Sequence, residues 1–276
     1  MKPFTLRKTI PALLIAIVMA FVSIGPAAAA WHPGNITALG DSITTAYNTG
    51  GFFANAPANS WSTGTNTSVN SLYLRILAVN PLISGKNTNY AVSGAKMSGL
   101  NSQAGKIASA TEYVTILMGA NDVCTSSEST MTSVANFKSQ FETAMATINT
   151  RAPNAKVYVV SIPDIYNLWN ILKGNSSARF RWSLYRICQS MLANPTSTSA
   201  ADTLRRANVR QRNIDFNIAL AQVCAQYANC RFDNNAVFYT AYVASDVSTR
   251  DYFHPSLAGQ TKLASTAWGA SGLPYP

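Results

Sequence analysis

Short apolar runs alternate with longer stretches whose apolar residues recur at helical spacing. The runs at 35–39, 113–118 and 156–162 predict buried strands, and 89–92 and 230–232 predict shorter ones. Between them, 68–79 predicts a helix with Val69, Leu72, Tyr73, Ile76 and Leu77 on one face and Ser68 as a candidate cap. Helices are also expected over 100–110, 132–149, 166–192, 201–227 and 256–268, the last entered through Pro255. Segment 47–67 is rich in Gly, Asn, Ser and Thr and predicts a long loop. Strand alternating with helix predicts an α/β fold, a parallel sheet with helices on its faces. No repeat, linker or low-complexity tract interrupts 31–276, so one domain is expected there, as a monomer.

The first thirty residues follow a different pattern. Lys2, Arg7 and Lys8 precede an apolar stretch over 10–24, and Ala28-Ala29-Ala30 supplies a small-residue cleavage site. This is the order of a signal peptide, with cleavage expected near Ala30 and export of 31–276. A membrane anchor is the alternative, and the apolar stretch is short for one.

Export changes the reading of the cysteines. Cys124, Cys188, Cys224 and Cys230 form an even set, which predicts two disulfides in an oxidising compartment. Three pairings are open. Cys224–Cys230, closing a short loop at a helix end, with Cys124–Cys188 is the favoured one. With no C-x-x-C pair and two histidines, His32 and His254, a metal site is not expected. The chain of 276 residues is 47% hydrophobic and 12% charged, enough for a large core. Its net charge of +10 includes three cations of the leader. The basic remainder suits either simple solubility or transient contact with anionic lipid or cell-wall surfaces. It carries no nucleic-acid motif, so nucleic acid is not an expected partner.

The polar residues at the strand ends carry the candidate chemistry. The first run ends in Gly40-Asp41-Ser42, which puts a hydroxyl at the carboxyl edge of the sheet, where α/β folds bind ligands. A Ser hydroxyl is a weak nucleophile until a base takes its proton. His254 is the histidine available for this, and Asp251, three residues before it, can orient the ring. Taken singly, Ser42 could cap a helix, His254 could be a satisfied half-buried ring, Gly94 a turn glycine and Asn121 an Asx-turn residue. Asp41 and Asp122 read as supporting carboxylates, and Asp164 as structural or pocket-lining.

Gly40-Asp41-Ser42-Ile43, Ser93-Gly94, Gly119-Ala120-Asn121-Asp122 and Asp251-x-x-His254 occur in the order of the four sequence blocks of SGNH (GDSL-type) hydrolases. The chain resembles the secreted bacterial members of that family over most of 31–276. The first block departs from the pattern in having Ile43 for Leu. The resemblance implies a flavodoxin-like three-layer α/β/α sandwich on a five-stranded parallel sheet. It also implies ester hydrolysis without a cofactor. It assigns an oxyanion hole to the backbone N–H groups of Ser42 and Gly94 and the side-chain amide of Asn121, with Gly at 94 allowing close backbone approach. A Cys124 disulfide would pin the Asn121 loop. The expected partner is a small-molecule or lipid ester, and a carbohydrate O-acetyl ester or an inert binding protein are the alternatives. Two aromatic groups, Tyr47, Phe52, Phe53, Trp61 and Tyr166, Trp169, Phe180, Trp182, Tyr185, either line an apolar trough or pack in the core. Arg179, Arg181 and Arg186 lie among the second group and could meet a phosphate headgroup.

Overall fold

The computed structural model describes residues 31–273 together with Met1, Pro3 and Phe4. The leader expected over 1–30 otherwise lies outside the described residues. The chain runs β1 (Ile36–Gly40), α1 (Leu72–Leu77), β2 (Asn87–Asn89), α2 (Leu100–Ala104), β3 (Tyr113–Leu117), α3 (Ala120–Val123) and α4 (Val134–Arg151). It continues through β4 (Lys156–Val159), α5 (Ile165–Leu172), α6 (Ser176–Leu184), α7 (Gln189–Leu192), α8 (Ala200–Cys224), β5 (Cys230–Phe232) and α9 (Leu257–Ser271).

The five strands are all parallel, in the order β2-β1-β3-β4-β5. The central strands β1 and β3 are buried along their whole length, as their apolar, β-branched composition requires of strands covered on both faces. Helices α2, α4 and α8 pack side by side on one face, where Phe137 of α4 stacks on Phe216 of α8. Helices α1 and α9 meet on the other, where the Tyr158 hydroxyl of β4 donates to the Ala267 carbonyl. The result is a three-layer α/β fold of the flavodoxin-like kind. With this strand order the connections leave β1 and β3 in opposite directions, which opens a crevice between their carboxyl ends.

The departures from the sequence reading have local causes. β2 is polar, Asn-Thr-Asn, and precedes the predicted run 89–92. The backbone N–H groups of Tyr90 and Val92 still donate to Ala38 and Gly40, so the chain follows β1 beyond β2. Ser71 caps α1 by accepting from the Leu74 N–H, so that helix starts later than a Ser68 cap would place it. The stretch 100–110 is helical only to Ala104. The single helix predicted over 166–192 is three helices. Asn175 caps a new start by accepting from the Ala178 N–H, and Arg186 and Cys188 adopt left-handed φ of 51° and 44°, which no helix continues through. Cys124 is bonded to Cys188, and Cys224 to Cys230.

Candidate active site

The site lies at the β1–β3 crevice. β1 ends at Gly40 with φ of 156°, where a side chain would meet the Leu117 carbonyl and the Thr44 hydroxyl at 2.5 Å. Buried Gln103 clamps this residue from both sides: its Oε1 accepts from the Gly40 N–H (2.8 Å) and its Nε2 donates to the Gly40 carbonyl (2.9 Å). The next residue, Asp41, organises the turn. Its carbonyl accepts from the Thr44 and Thr45 N–H groups, and its Oδ1 accepts from the Ile43 N–H. The chain from 41 to 51 is a series of turns, so Ser42 caps no helix. The turns present its hydroxyl at the crevice.

His254 comes from a loop with no helix or strand of its own. Its Nε2 lies 2.8 Å from the Ser42 Oγ, and its Nδ1 lies 2.6 Å from the Asp251 Oδ2. A carboxylate only accepts, so Nδ1 carries the ring proton and Nε2 is free to take one from Ser42. Asp251 also shapes the loop, because its Oδ1 accepts from the N–H groups of Phe253 and His254. Burial alone would raise its pKa. The hydrogen bond and charge of His254, with those two N–H groups, outweigh burial and hold it below the usual carboxylate value. Tyr47 packs its ring 4.9 Å from the imidazole.

The Asp251 Oδ2 has a second donor that the sequence reading missed. The side-chain Nδ2 of Asn48 lies 2.6 Å from it. Asn48 is fully buried and left-handed, with φ of 62°. Its Oδ1 accepts from the Phe53 N–H, and its carbonyl accepts from the Ser248 hydroxyl and the Arg250 guanidinium. It therefore ties the loop after Ser42 to the loop bearing Asp251. The local signal was only Asn before Thr-Gly-Gly, a turn composition that names no partner. Gln103 was missed for the same reason: nothing in its own segment names Gly40 as a partner.

Ser42, Gly94 and Asn121 line one lobe of the cleft together with Tyr47, Ser93 and the Cys124–Cys188 bridge. Gly94 has φ of 79°, a left-handed backbone that favours glycine, and the space where a Cβ would sit is open. Its position is set by Ser93, whose hydroxyl bonds the Asn55 Oδ1 (2.6 Å) and lies 2.9 Å from the Thr45 hydroxyl. Asn121 donates one amide hydrogen to the Ala95 carbonyl (3.0 Å), and an amide carries a second. Its neighbour Asp122 is buried and accepts from the Met97 N–H and the Thr132 hydroxyl, which binds segment 94–97 to α3. Burial raises the pKa of Asp122 and pushes that of Asp41 up to about 7. The Asp41 Oδ2 is buried without a hydrogen-bond partner, which favours the neutral acid.

The other lobe is a cavity of about 80 Å³ that opens to solvent. Ile43, Ile165, Leu168, Ile171, Val247 and Leu263 make its apolar wall. Phe253 and Tyr242 complete this lining, and Tyr47 lines the first lobe. Most of the other aromatics of the two groups lie outside the cleft. Trp61, Trp169 and Trp182 are in the core, and Phe52, Phe53, Phe180 and Tyr185 are exposed. Asp164 borders this lobe, caps α5 by accepting from the Tyr166 N–H, and is paired with Arg210 at 2.8 Å. His32 stands at the start of the described chain, where its carbonyl accepts from the Asn80 amide.

The chain matches the model of the GDSL-like lipase/acylhydrolase family over residues 36–267. Among solved structures it resembles an extracellular lipase from Streptomyces rimosus, with a TM-score of 0.51 and 19% identity over 85% of this chain and 98% of that one. It also resembles a lipase from a goat rumen metagenome, with a TM-score of 0.50 and 15% identity over 86% of this chain and 96% of that one. No curated protein sequence matches it. With the family match spanning nearly the whole described chain, and the fold and strand-end residues agreeing with it, the chain belongs to the SGNH, or GDSL-like lipase/acylhydrolase, family.

Proposed function

We propose that the protein is an exported serine esterase or lipase that cleaves carboxylic esters through a Ser42–His254–Asp251 triad and an acyl-enzyme. The observation that carries this reading is the continuous chain of contacts from Ser42 Oγ to His254 Nε2 (2.8 Å) and from His254 Nδ1 to Asp251 Oδ2 (2.6 Å). His254 takes the Ser42 proton as the oxygen attacks the ester carbonyl. The tetrahedral oxyanion is met by the N–H groups of Ser42 and Gly94 and the free amide hydrogen of Asn121. His254 then returns the proton to the leaving alcohol, and the acyl group stays on Ser42. A water activated by the same imidazole releases the acid. Asp251 holds the ring tautomer and stabilises the imidazolium, and Asn48 positions Asp251.

The apolar lobe supports an apolar acyl or alcohol group as the part of the substrate held beside Ser42. The leader pattern and the two disulfides support export. Hydrolysis of p-nitrophenyl esters of graded chain length tests the reading. Turnover of the longer acyl chains, lost in Ser42→Ala, is expected. Turnover restricted to acetyl esters would favour a carbohydrate O-acetyl esterase, and no turnover, with no labelling of Ser42 by a fluorophosphonate, would leave an inert binding protein.

A further inference from the structure

Phe52, Phe53, Phe180 and Tyr185 are exposed, belong to neither the core nor the cleft, and lie on two segments that touch each other. Phe52 and Phe53 sit with ring centroids 4.4 Å apart, and Phe53 meets Tyr185 at 5.2 Å. Arg181 lies over both Phe52 and Tyr185, at 5.5 and 5.9 Å. Along α6, Phe180 and Leu184 are one turn apart and 63% and 55% exposed, while Ala178 and Trp182 bury the opposite side. The chain thus leaves a contiguous apolar ridge in water, which a globular surface avoids unless something covers it.

Two further features say what covers it. The ridge is accompanied by Arg179, Arg181 and Arg186, and its charge is of one sign. No Asp or Glu occurs between Asp41 and Glu112, nor between Asp164 and Asp202, the two stretches that build it. The ridge is also tied to the loop bearing the imidazole. Arg181 donates to the Arg250 carbonyl, the Trp182 indole N–H donates to the Tyr252 carbonyl, and the Phe53 N–H donates to Asn48.

We propose that this ridge is a docking surface for an anionic lipid bilayer, with Phe52, Phe180 and Leu184 entering the headgroup–acyl boundary and the arginines meeting lipid phosphates. Phe and Leu beside Arg is the pairing that an anionic membrane surface binds, because apolar insertion and phosphate attraction add. The purpose of docking rests on the ester-hydrolase reading, since it would hold the cleft against lipid. The binding itself is measured without turnover.

The test uses the exported chain carrying Ser42→Ala, which leaves the lipids intact, in co-sedimentation with extruded vesicles. One set is phosphatidylcholine and the other contains added phosphatidylglycerol. Binding to the anionic vesicles well above the neutral ones is expected, weakened by salt. Adding Phe52→Ser, Phe180→Ser and Leu184→Ser should reduce it by about tenfold or more, since buried apolar area drives insertion. Arg186→Gln, at an exposed position, should reduce it by about fivefold on anionic vesicles only. With Ser42 intact, the triple variant should hydrolyse a soluble short-chain ester at the unaltered rate, which also shows that it folds. No binding to anionic vesicles would overturn the proposal. So would binding that the triple variant leaves unchanged, which means a polyanion contact alone, or light scattering showing a dimer that the triple variant dissociates. Vesicle binding by a protein that turns over no ester would overturn the proposed activity and leave the docking surface standing.

Discussion

The two halves of the candidate site are held in place by different means. Ser42 follows a buried central strand, and its position comes from the strand end itself: a glycine too crowded for any side chain, turn bonds made by the Asp41 carbonyl, and one buried side chain, Gln103, that clamps the Gly40 main chain. His254 and Asp251 stand on a loop between β5 and α9, and their positions come from side chains. Asp251 accepts four hydrogen bonds, one of them from Asn48, which is 203 positions away in the chain. A position built into a strand end is held mainly as long as the strand folds. A side-chain-defined position is lost when one donor is removed. Loops can carry chemistry as exactly placed as a strand does, provided buried polar groups close the network.

The largest expected effect cuts the site at its centre. Ser42→Ala should lower turnover by ~10⁴-fold or more with no loss of thermal stability, measured by steady-state hydrolysis and calorimetry. Asp251→Asn should leave a slower but measurable enzyme, and Asp164→Asn should change the rate little. A reversed ranking of the two would mean that Asp164 orients the imidazole.

The comparison is sharpened at Asn48. Asn48→Ala removes one amide from Asp251 and should lower kcat by about 10²-fold, the scale of a misplaced catalytic group, while KM changes little. A structural role alone would instead lower stability and leave the rate of the folded fraction unaltered, so kcat is measured per active site by fluorophosphonate titration.

A third prediction concerns the Cys124–Cys188 bridge, which lines the lobe of Asn121 and closes a separation of 64 residues. Replacing both cysteines with Ala should cost about 2–4 kcal/mol of stability by denaturant unfolding, the usual range for a native disulfide. The last prediction concerns pH, at Asp41. Its carboxyl moves from 3.8 to about 7 on folding, so the folded state holds the proton more tightly than the unfolded chain. The stability this supplies is complete below 3.8 and is lost as the pH rises through 7. Asp41→Asn should therefore flatten the dependence of Tm on pH between about 4 and 7. Asp251 acts with the opposite sign, because its lowered pKa supplies stability that is lost only as the pH falls through the acid range below its unfolded value.

Much of the architecture was legible because it is encoded by neighbours. The apolar runs of β1, β3 and β4 and the polar residues at their ends name a parallel sheet with chemistry at its carboxyl edge. The candidate residues Ser42, Asp251 and His254 could be chosen by residue type and spacing, whereas Gly94 and Asn121 came from the family resemblance. The helix over 166–192 was misread because its apolar spacing runs on past Asn175, and only the capping bond and the left-handed residues Arg186 and Cys188 end it. Whether the aromatic groups line a trough or pack in the core stayed open, because sequence shows that residues are apolar without showing which way they face.

The sequence by itself determined the α/β alternation, the cysteine set and which side chains could carry a Ser–His–Asp reaction, since periodicity and residue chemistry are local properties. Only the tertiary structure decided that Asn48 meets Asp251, that Gln103 clamps Gly40, and that of the two aromatic groups Tyr47 lines the cleft beside Ser42 while the tryptophans pack in the core. Those contacts join segments far apart in the chain, and nothing in either segment's own pattern specifies the other until the sheet and its covering helices bring them together.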